Sequence, residues 1–416
     1  MKQLTFSHVQ TVVIVVDYGF VNGGNGQVGL STALALAHAG VETILFAAVG
    51  PVGAELRDVE NLRVVCLDQF DFLSDPLKAR GALRGLWNFT AAEALQEVLR
   101  KCDPAHTIVH VHSWTKALSS SVVLAAKRAG FSLVATLHDY FAFCPNGSLY
   151  DHEKQAPCLL RPMSVGCMTA NCDPRSRAQK AYRVARQLVT DRIAGIPRDV
   201  RYFITVSPYS RDIAREHLGD GRIFDVPNPI DARREAPAEP GANDTFLYVG
   251  RLSHEKGTDT FAMAASLAEV KSSFVGDGPL GTMMRRIAPD AEFTGWLGRE
   301  GVRERLRAAR ALVLPSRWYE ASPLVVPEAA ALGIPAIVAD GCAAKLSIVN
   351  GVSGLTFRSG DVVDLAEKLK ILSNSALAAV MGKAAYDNFW RDPPLMRRHI
   401  DALSDVYETI LAEREA

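Results

Sequence analysis

Hydrophobic residues in this chain come in short, uninterrupted runs rather than in strict alternation. Thr11-Val-Val-Ile-Val-Val-Asp17 is a continuous β-branched segment, the mark of a strand buried on both faces of a parallel sheet. Further strands are predicted over 43–48, 62–67, 107–112, 132–137 and 202–206, with helical periodicity between them, as at Leu30 to Ala39 and Ala91 to Arg100. That alternation specifies a doubly wound α/β domain. Pro227-Asn-Pro229 and the Ala/Pro/Glu/Gly run from Ala236 to Asn243 interrupt it, and it restarts at Phe246. The reading is an N-terminal domain over 1–228, a second domain over 244–386, and a tail over 387–416. Within the tail, Phe389-Trp390 through Tyr407-Glu-Thr-Ile-Leu411 reads as one amphipathic helix.

The second domain carries the chemistry. Phe246-Leu-Tyr-Val-Gly-Arg-Leu-Ser-His-Glu-Lys-Gly257 is a strand running into Gly250-Arg251, with Lys256-Gly257 opening the next helical segment. Gly250 lets the backbone approach a ligand closely, while Arg251 offers a planar donor fork and Lys256 a point charge, both suited to a diphosphate. Downstream, Ala311-Leu-Val-Leu-Pro-Ser-Arg-Trp-Tyr319 leads into Glu320-Ala-Ser-Pro-Leu-Val-Val-Pro-Glu328 and then Ala329-Ala-Ala-Leu-Gly333, a helical pattern closed by glycine. Glu320 falls on the loop and Glu328 about one turn into the helix. The first helical turn, Ser322, Pro323, Leu324 and Val325, then points its free N–H groups at the mouth of the strand, where a phosphate fits. Taken alone, the two glutamates would read as helix-end charges facing solvent. Two cations and two carboxylates at the carboxyl ends of parallel strands converge on one crevice, as open α/β sheets require.

Taken in order, FLYVGRLSHEKGTD, FVGDGPL, FTGWLG, VLPSRWYEASPLVVPEAAALGIPAIVAD and GVSGLTF resemble the C-terminal domain of family 4 retaining glycosyltransferases with the GT-B fold. GGNGQVGLSTALALAHAG, ATLHDY, FITVSPYSRDIAREH and VPNPID extend the resemblance over nearly the whole chain. It implies two Rossmann-like domains facing across a crevice, acceptor on the N-terminal side and nucleotide sugar on the other, with the last helix crossing back. It further implies retaining transfer of a hexose from a UDP- or GDP-linked donor to a glycan or lipid-linked acceptor, in polysaccharide, lipopolysaccharide or glycolipid synthesis. Glu320 and His138 then meet the donor sugar, Arg251 and Lys256 the diphosphate and Glu328 the ribose. Gly24 and Gly26 supply backbone N–H groups from the opposite domain, Asp277 lies on the donor-side turn, and Trp296 or Leu297 sits beside the base. No cofactor is required for catalysis. Many relatives place Gly-Gly and then a Glu where this chain has Asp340-Gly-Cys-Ala-Ala-Lys345, a departure outside the glutamate pair.

Other features weigh rival readings. Gly24-Asn-Gly26-Gln-Val-Gly29 matches a dinucleotide fingerprint, but it lies well past Val16 and no acid ends the second strand near Ala47, which argues against hydride transfer. An epimerase of the same fold, a phosphorylase, or a silent carbohydrate-binding scaffold remain alternatives; Arg251, Lys256, Glu320 and Glu328 together argue against silence. His138 ends a strand at the crevice, while His110 and His112 read equally well as structural. The balance of 46 basic against 46 acidic side chains leaves no excess for broad nucleic-acid binding. No run is long enough for a membrane span, and Met1 to Gln10 has no signal-peptide pattern, so the expectation is a cytoplasmic protein that can touch the inner membrane face.

Cys144, Cys158, Cys167 and Cys172 cluster in an insertion at about 144–175, with 13, 8 and 4 residues between them. In a cytosolic protein that clustering raises a structural Zn2+ site, against packed reduced thiols or a redox disulfide, although the paired C-x2-C spacing of a zinc ribbon is missing. The helix that follows carries Arg175, Arg177, Lys180, Arg183, Arg186 and Arg192, either a solvated basic face or one that meets a phosphorylated lipid carrier or anionic membrane.

Overall fold

The computed structural model describes residues 6–415; the first half of the Met1 to Gln10 segment lies outside them. In chain order the strands are β1 (Thr11–Tyr18), β2 (Glu42–Val49), β3 (Leu62–Cys66), β4 (Thr107–Val111), β5 (Ser132–Leu137), β6 (Tyr150–Asp151), β7 (Ala156–Pro157), β8 (Tyr202–Thr205) and β9 (Arg222–Asp225). They continue as β10 (Thr245–Val249), β11 (Lys271–Val275), β12 (Glu292–Gly295), β13 (Ala311–Leu314), β14 (Ala336–Ala339) and β15 (Gly354–Phe357). Two parallel sheets result, in the orders β3-β2-β1-β4-β5-β8-β9 and β12-β11-β10-β13-β14-β15. Helices cover both faces of each, which explains the continuous apolar runs. In β1, Val13 and Val15 face one core cluster, while Val12, Ile14 and Val16 face the other.

The strand order reverses beside β1 and β4 in the first sheet and beside β10 and β13 in the second. The carboxyl ends of these strands open the crevices in which doubly wound sheets bind ligands. The two openings face each other.

The chain end differs from the expected single helix. Helix Ser375–Arg391 stops, and helix Met396–Glu415 begins after it, because Pro393 and Pro394 can neither donate to the helical ladder nor let the preceding residue stay helical. The second helix buries Ile400, Leu403, Val406, Tyr407 and Ile410 in the core of the first domain. Its register is fixed by polar contacts as well: Tyr407 Oη lies 2.6 Å from His110 Nδ1, and His399 Nε2 lies 3.1 Å from Thr32 Oγ1.

Candidate active site

Between the two domains lies a cleft of about 870 Å³. Its second-domain wall includes Gly250, Arg251, Lys256, Glu320, Ser322, Pro323, Leu324, Val325 and Glu328, and its first-domain wall Gly24, Lys116, His138, Asp139 and Arg186. The domains are close here: a Cβ on Gly24 would lie 3.6 Å from Leu324 Cδ1. Ser207 Oγ donates to Ala321 O and Tyr209 Oη to Gly341 O, each at 2.5 Å, bridging the two halves beside the cleft.

Backbone geometry sets the second-domain wall. Gly250 has φ 147° and Gly257 φ 65°, and a Cβ on Gly257 would meet Pro315 O at 1.9 Å. Only glycine allows the loop after β10 to lie against the loop after β13. Lys256 is thereby brought against Glu320, whose carboxylate is almost fully buried. Glu320 Oε1 pairs with Lys256 Nζ and also accepts from Ser316 Oγ at 2.9 Å and Trp318 Nε1 at 3.0 Å. The ammonium lies 4.9 Å from the Trp318 ring centroid, a cation–π contact. Burial alone would raise the Glu320 carboxyl, but Lys256 and the two neutral donors outweigh it and hold it below its ordinary value.

Glu328 is the opposite case. Among the described residues no donor meets its carboxylate, and burial pushes its pKa up despite the more distant Arg299. Arg251 sits exposed at the rim, and its guanidinium makes no ion pair or hydrogen bond among the described residues. The helix beside them starts at Val325, not Ser322, and runs to Ala331. Pro327 removes one further donor, so the expected row of N–H groups over Ser322 to Val325 is a loop followed by a short helical turn.

On the first-domain wall, helix Gly24–His38 begins several residues before the expected Leu30, taking Gly24 and Gly26 into its opening turn after Gly23 at φ 105°. Gly24 reaches the cleft and Gly26 does not. His138 Nε2 lies 3.0 Å from His112 Nδ1, and the rings stack at 5.3 Å. Burial lowers both imidazoles, His138 to about 3, so they are neutral at physiological pH. His138 Nδ1 and His112 Nε2 are buried without a partner among the described residues. His110 is structural: both ring nitrogens are taken up, by Tyr407 and Thr136.

Several expected residues lie elsewhere. Asp277 Oδ2 accepts from Trp296 N at 2.9 Å and so shapes a loop outside the cleft lining. Trp296 is 78% exposed, and Leu297 packs on the core behind it. The four cysteines are free thiols. Among the described residues no group of three or more His, Cys, Asp or Glu is arranged to hold a metal, which removes the geometric support for a zinc site. The polar neighbours of Cys144, Cys167 and Cys172 are instead Asn146 and the buried Lys180, whose Nζ lies 3.1 Å from Cys172 Sγ. Of Lys116, Asp139 and Arg186, which line the first-domain wall, sequence reading singles out only Arg186, as part of the basic helix for which a phosphorylated lipid carrier is one reading; the other two carry no motif-like spacing.

Comparison with known proteins adds to this geometry. Residues 22–234 match the family model described as Glycosyltransferase Family 4, and residues 243–375 the model described as Glycosyl transferases group 1. A D-inositol 3-phosphate glycosyltransferase of Nocardiopsis dassonvillei is 28% identical, covering 94% of this chain and 91% of its own. The corresponding enzyme of Nocardia farcinica is 30% identical over 84% and 77%. Among solved structures, sucrose-phosphate synthase from Thermosynechococcus elongatus superposes with a TM-score of 0.71 at 19% identity, over 97% of this chain and all of that one. Anabaena HepE, solved with UDP and glucose, gives 0.67 at 16% identity, covering 96% of this chain and all of its own.

Proposed function

Since the chain belongs to glycosyltransferase family 4, we propose that it moves a hexose, with retention of anomeric configuration, from a UDP- or GDP-linked sugar to an acceptor hydroxyl. The observation that carries this reading is the meeting of Arg251, Lys256, Glu320 and Glu328 on one wall of a cleft whose other wall presents His138. Arg251 and Lys256 neutralise the charge developing on the departing diphosphate, the electrostatic task a bound metal performs in other enzymes, so no metal is needed for the chemistry. Glu320 holds Lys256 in place through Oε1, leaving Oε2 for sugar hydroxyls, and the unpartnered Glu328 accepts from the ribose hydroxyls. Neutral His138 offers a ring nitrogen to the transferred sugar. Attack comes from the face the diphosphate leaves, and the departing phosphate takes the acceptor proton. Closure over the cleft keeps water from the donor.

The acceptor is a glycan or lipid-linked hydroxyl in polysaccharide, lipopolysaccharide or glycolipid synthesis, met in the cytoplasm or at the inner membrane face. No described helix is long and apolar enough to cross a membrane. Proton NMR of the sugar released slowly from UDP- and GDP-hexoses, in chelator and without acceptor, tests the mechanism. The first anomer to appear should match that of the donor. First appearance of the inverted anomer, or no turnover of any donor together with no nucleotide binding, overturns the proposal.

A further inference from the structure

We propose that the first-domain wall of the cleft is an anion subsite and that the acceptor carries a phosphoryl group; this rests on the reading above, in which Arg251 and Lys256 belong to the donor. Four cations line that wall: Lys116, Arg175, Arg183 and Arg186. Arg183 is answered by Asp173, with Nε 2.8 Å from Oδ2. Among the described residues no carboxylate lies within ion-pairing distance of the other three.

Arg186 is the strongest element. It has five N–H donors, yet its hydrogen bond within the protein is from Nη1 to Thr115 O, at 3.0 Å, and its guanidinium lies 5.2 Å from the Phe141 ring centroid. The side chain is half-buried, which lowers its pKa to about 10, so it remains charged at neutral pH. A half-buried charge without a carboxylate partner carries a desolvation cost that a ligand's counter-charge offsets. The same Thr115 carbonyl precedes Lys116, and Asp17 pins the next backbone stretch by accepting from Lys116 N, Ala117 N and Leu118 N at 2.8 to 3.1 Å. Arg186 is therefore anchored to the same fixed backbone stretch that carries Lys116, whose side chain, like that of Arg175, is exposed on the cleft wall.

The nearby carboxylates do not cancel this charge at contact range. Asp71 is committed to Leu73 N, Ser74 N and Ser74 Oγ at 2.8 to 2.9 Å. Asp17 and Asp139 act on Arg186 only at longer range, and burial pushes both up, Asp139 to about 6. A planar fork on a wall that also presents an ammonium matches a phosphoryl group better than a neutral sugar.

Thermal-shift titrations would use glucose 6-phosphate and neutral glucose in the presence of saturating UDP or GDP, whichever stabilises the protein, so that the donor site is filled. A parallel arm measures sedimentation with phosphatidylglycerol vesicles, to separate a soluble phosphate from a lipid headgroup. The expected result is stabilisation by glucose 6-phosphate but not glucose, weakened at least tenfold in Arg186→Gln and severalfold in the exposed Arg175→Gln, with nucleotide binding unchanged in both. Binding to vesicles alone, lost in both variants, supports the same subsite with a lipid source. No preference for phosphate in either arm, or a preference that survives both substitutions, overturns the proposal. Loss of nucleotide binding in the wild-type protein would instead strike the donor assignment.

Discussion

The two walls of the cleft handle charge in opposite ways. On the second-domain wall, Lys256 and Glu320 neutralise each other, and Ser316 and Trp318 complete the carboxylate's hydrogen bonding. On the first-domain wall, the half-buried Arg186 meets a carbonyl and the Phe141 ring and the exposed Lys116 lies over the Tyr18 ring, with no carboxylate at ion-pairing distance of either among the described residues. The first arrangement is a rigid device that holds one cation at a fixed point before any ligand arrives. The second stores unbalanced charge for a ligand to neutralise. A donor site can be built from a satisfied pair because the diphosphate brings its own strong charge; an acceptor site that must select its ligand leaves the selecting charge open.

Breaking the satisfied pair should have the largest effect. Lys256→Met should lower kcat by about 10²–10³-fold, the size expected for removing one preorganised charge from a transition state. It should also cost about 2–3 kcal/mol of stability, less than the ~3–5 kcal/mol of a fully buried pair, because 26% of the lysine side chain is exposed. Steady-state kinetics and denaturant unfolding read the two effects separately. Glu328→Ala should act on binding, weakening nucleotide affinity roughly 10- to 100-fold, which corresponds to the ~1.5–3 kcal/mol of charge-assisted hydrogen bonds, with less change in kcat. Equal losses from both substitutions in kcat and KM would erase the distinction between the electrostatic and the ribose-holding glutamate sites.

A third test concerns pH. Asp139 is an acid whose folded pKa is raised, from 3.8 to about 6. The folded state therefore binds more protons than the unfolded state between those values, and stability falls as pH rises through that window. The contribution is on the order of 3 kcal/mol at most. Asp139→Asn should flatten the melting temperature profile between pH 4 and 6 relative to wild type, and an unchanged difference curve would contradict the buried placement. The smallest effect is expected at Trp296→Ala, which should alter nucleotide affinity less than about twofold, since the ring is exposed and lies outside the cleft lining.

Sequence reading picked out the second-domain wall as a set and named residues of the first-domain wall without bringing them together, for a physical reason. Gly250, Arg251, Lys256, Glu320 and Glu328 lie on two loops that each follow one strand, so their chemistry is written in short contiguous stretches. Arg186 comes from a helix beyond the cysteine-bearing insertion, Lys116 from the loop after β4, and Asp139 from the end of β5. Only the fold brings these three together. The sheets were legible because their strands are buried on both faces and carry uninterrupted β-branched runs. Helix limits were less so: glycines at 24 and 26 look like a loop but open a helix, and the tail pattern ran straight across Pro393-Pro394. Trp296 shows a related limit, since an aromatic beside a strand end suggests a base platform until its exposure is known.

Calorimetric titration of UDP and GDP into the wild-type protein and Glu328→Ala, in chelator, tests the central claim most directly. The account predicts that one nucleotide binds without metal and that its affinity falls at least tenfold in the variant. Binding that requires added metal, or that is identical in the two proteins, would contradict the donor site built from Arg251, Lys256, Glu320 and Glu328.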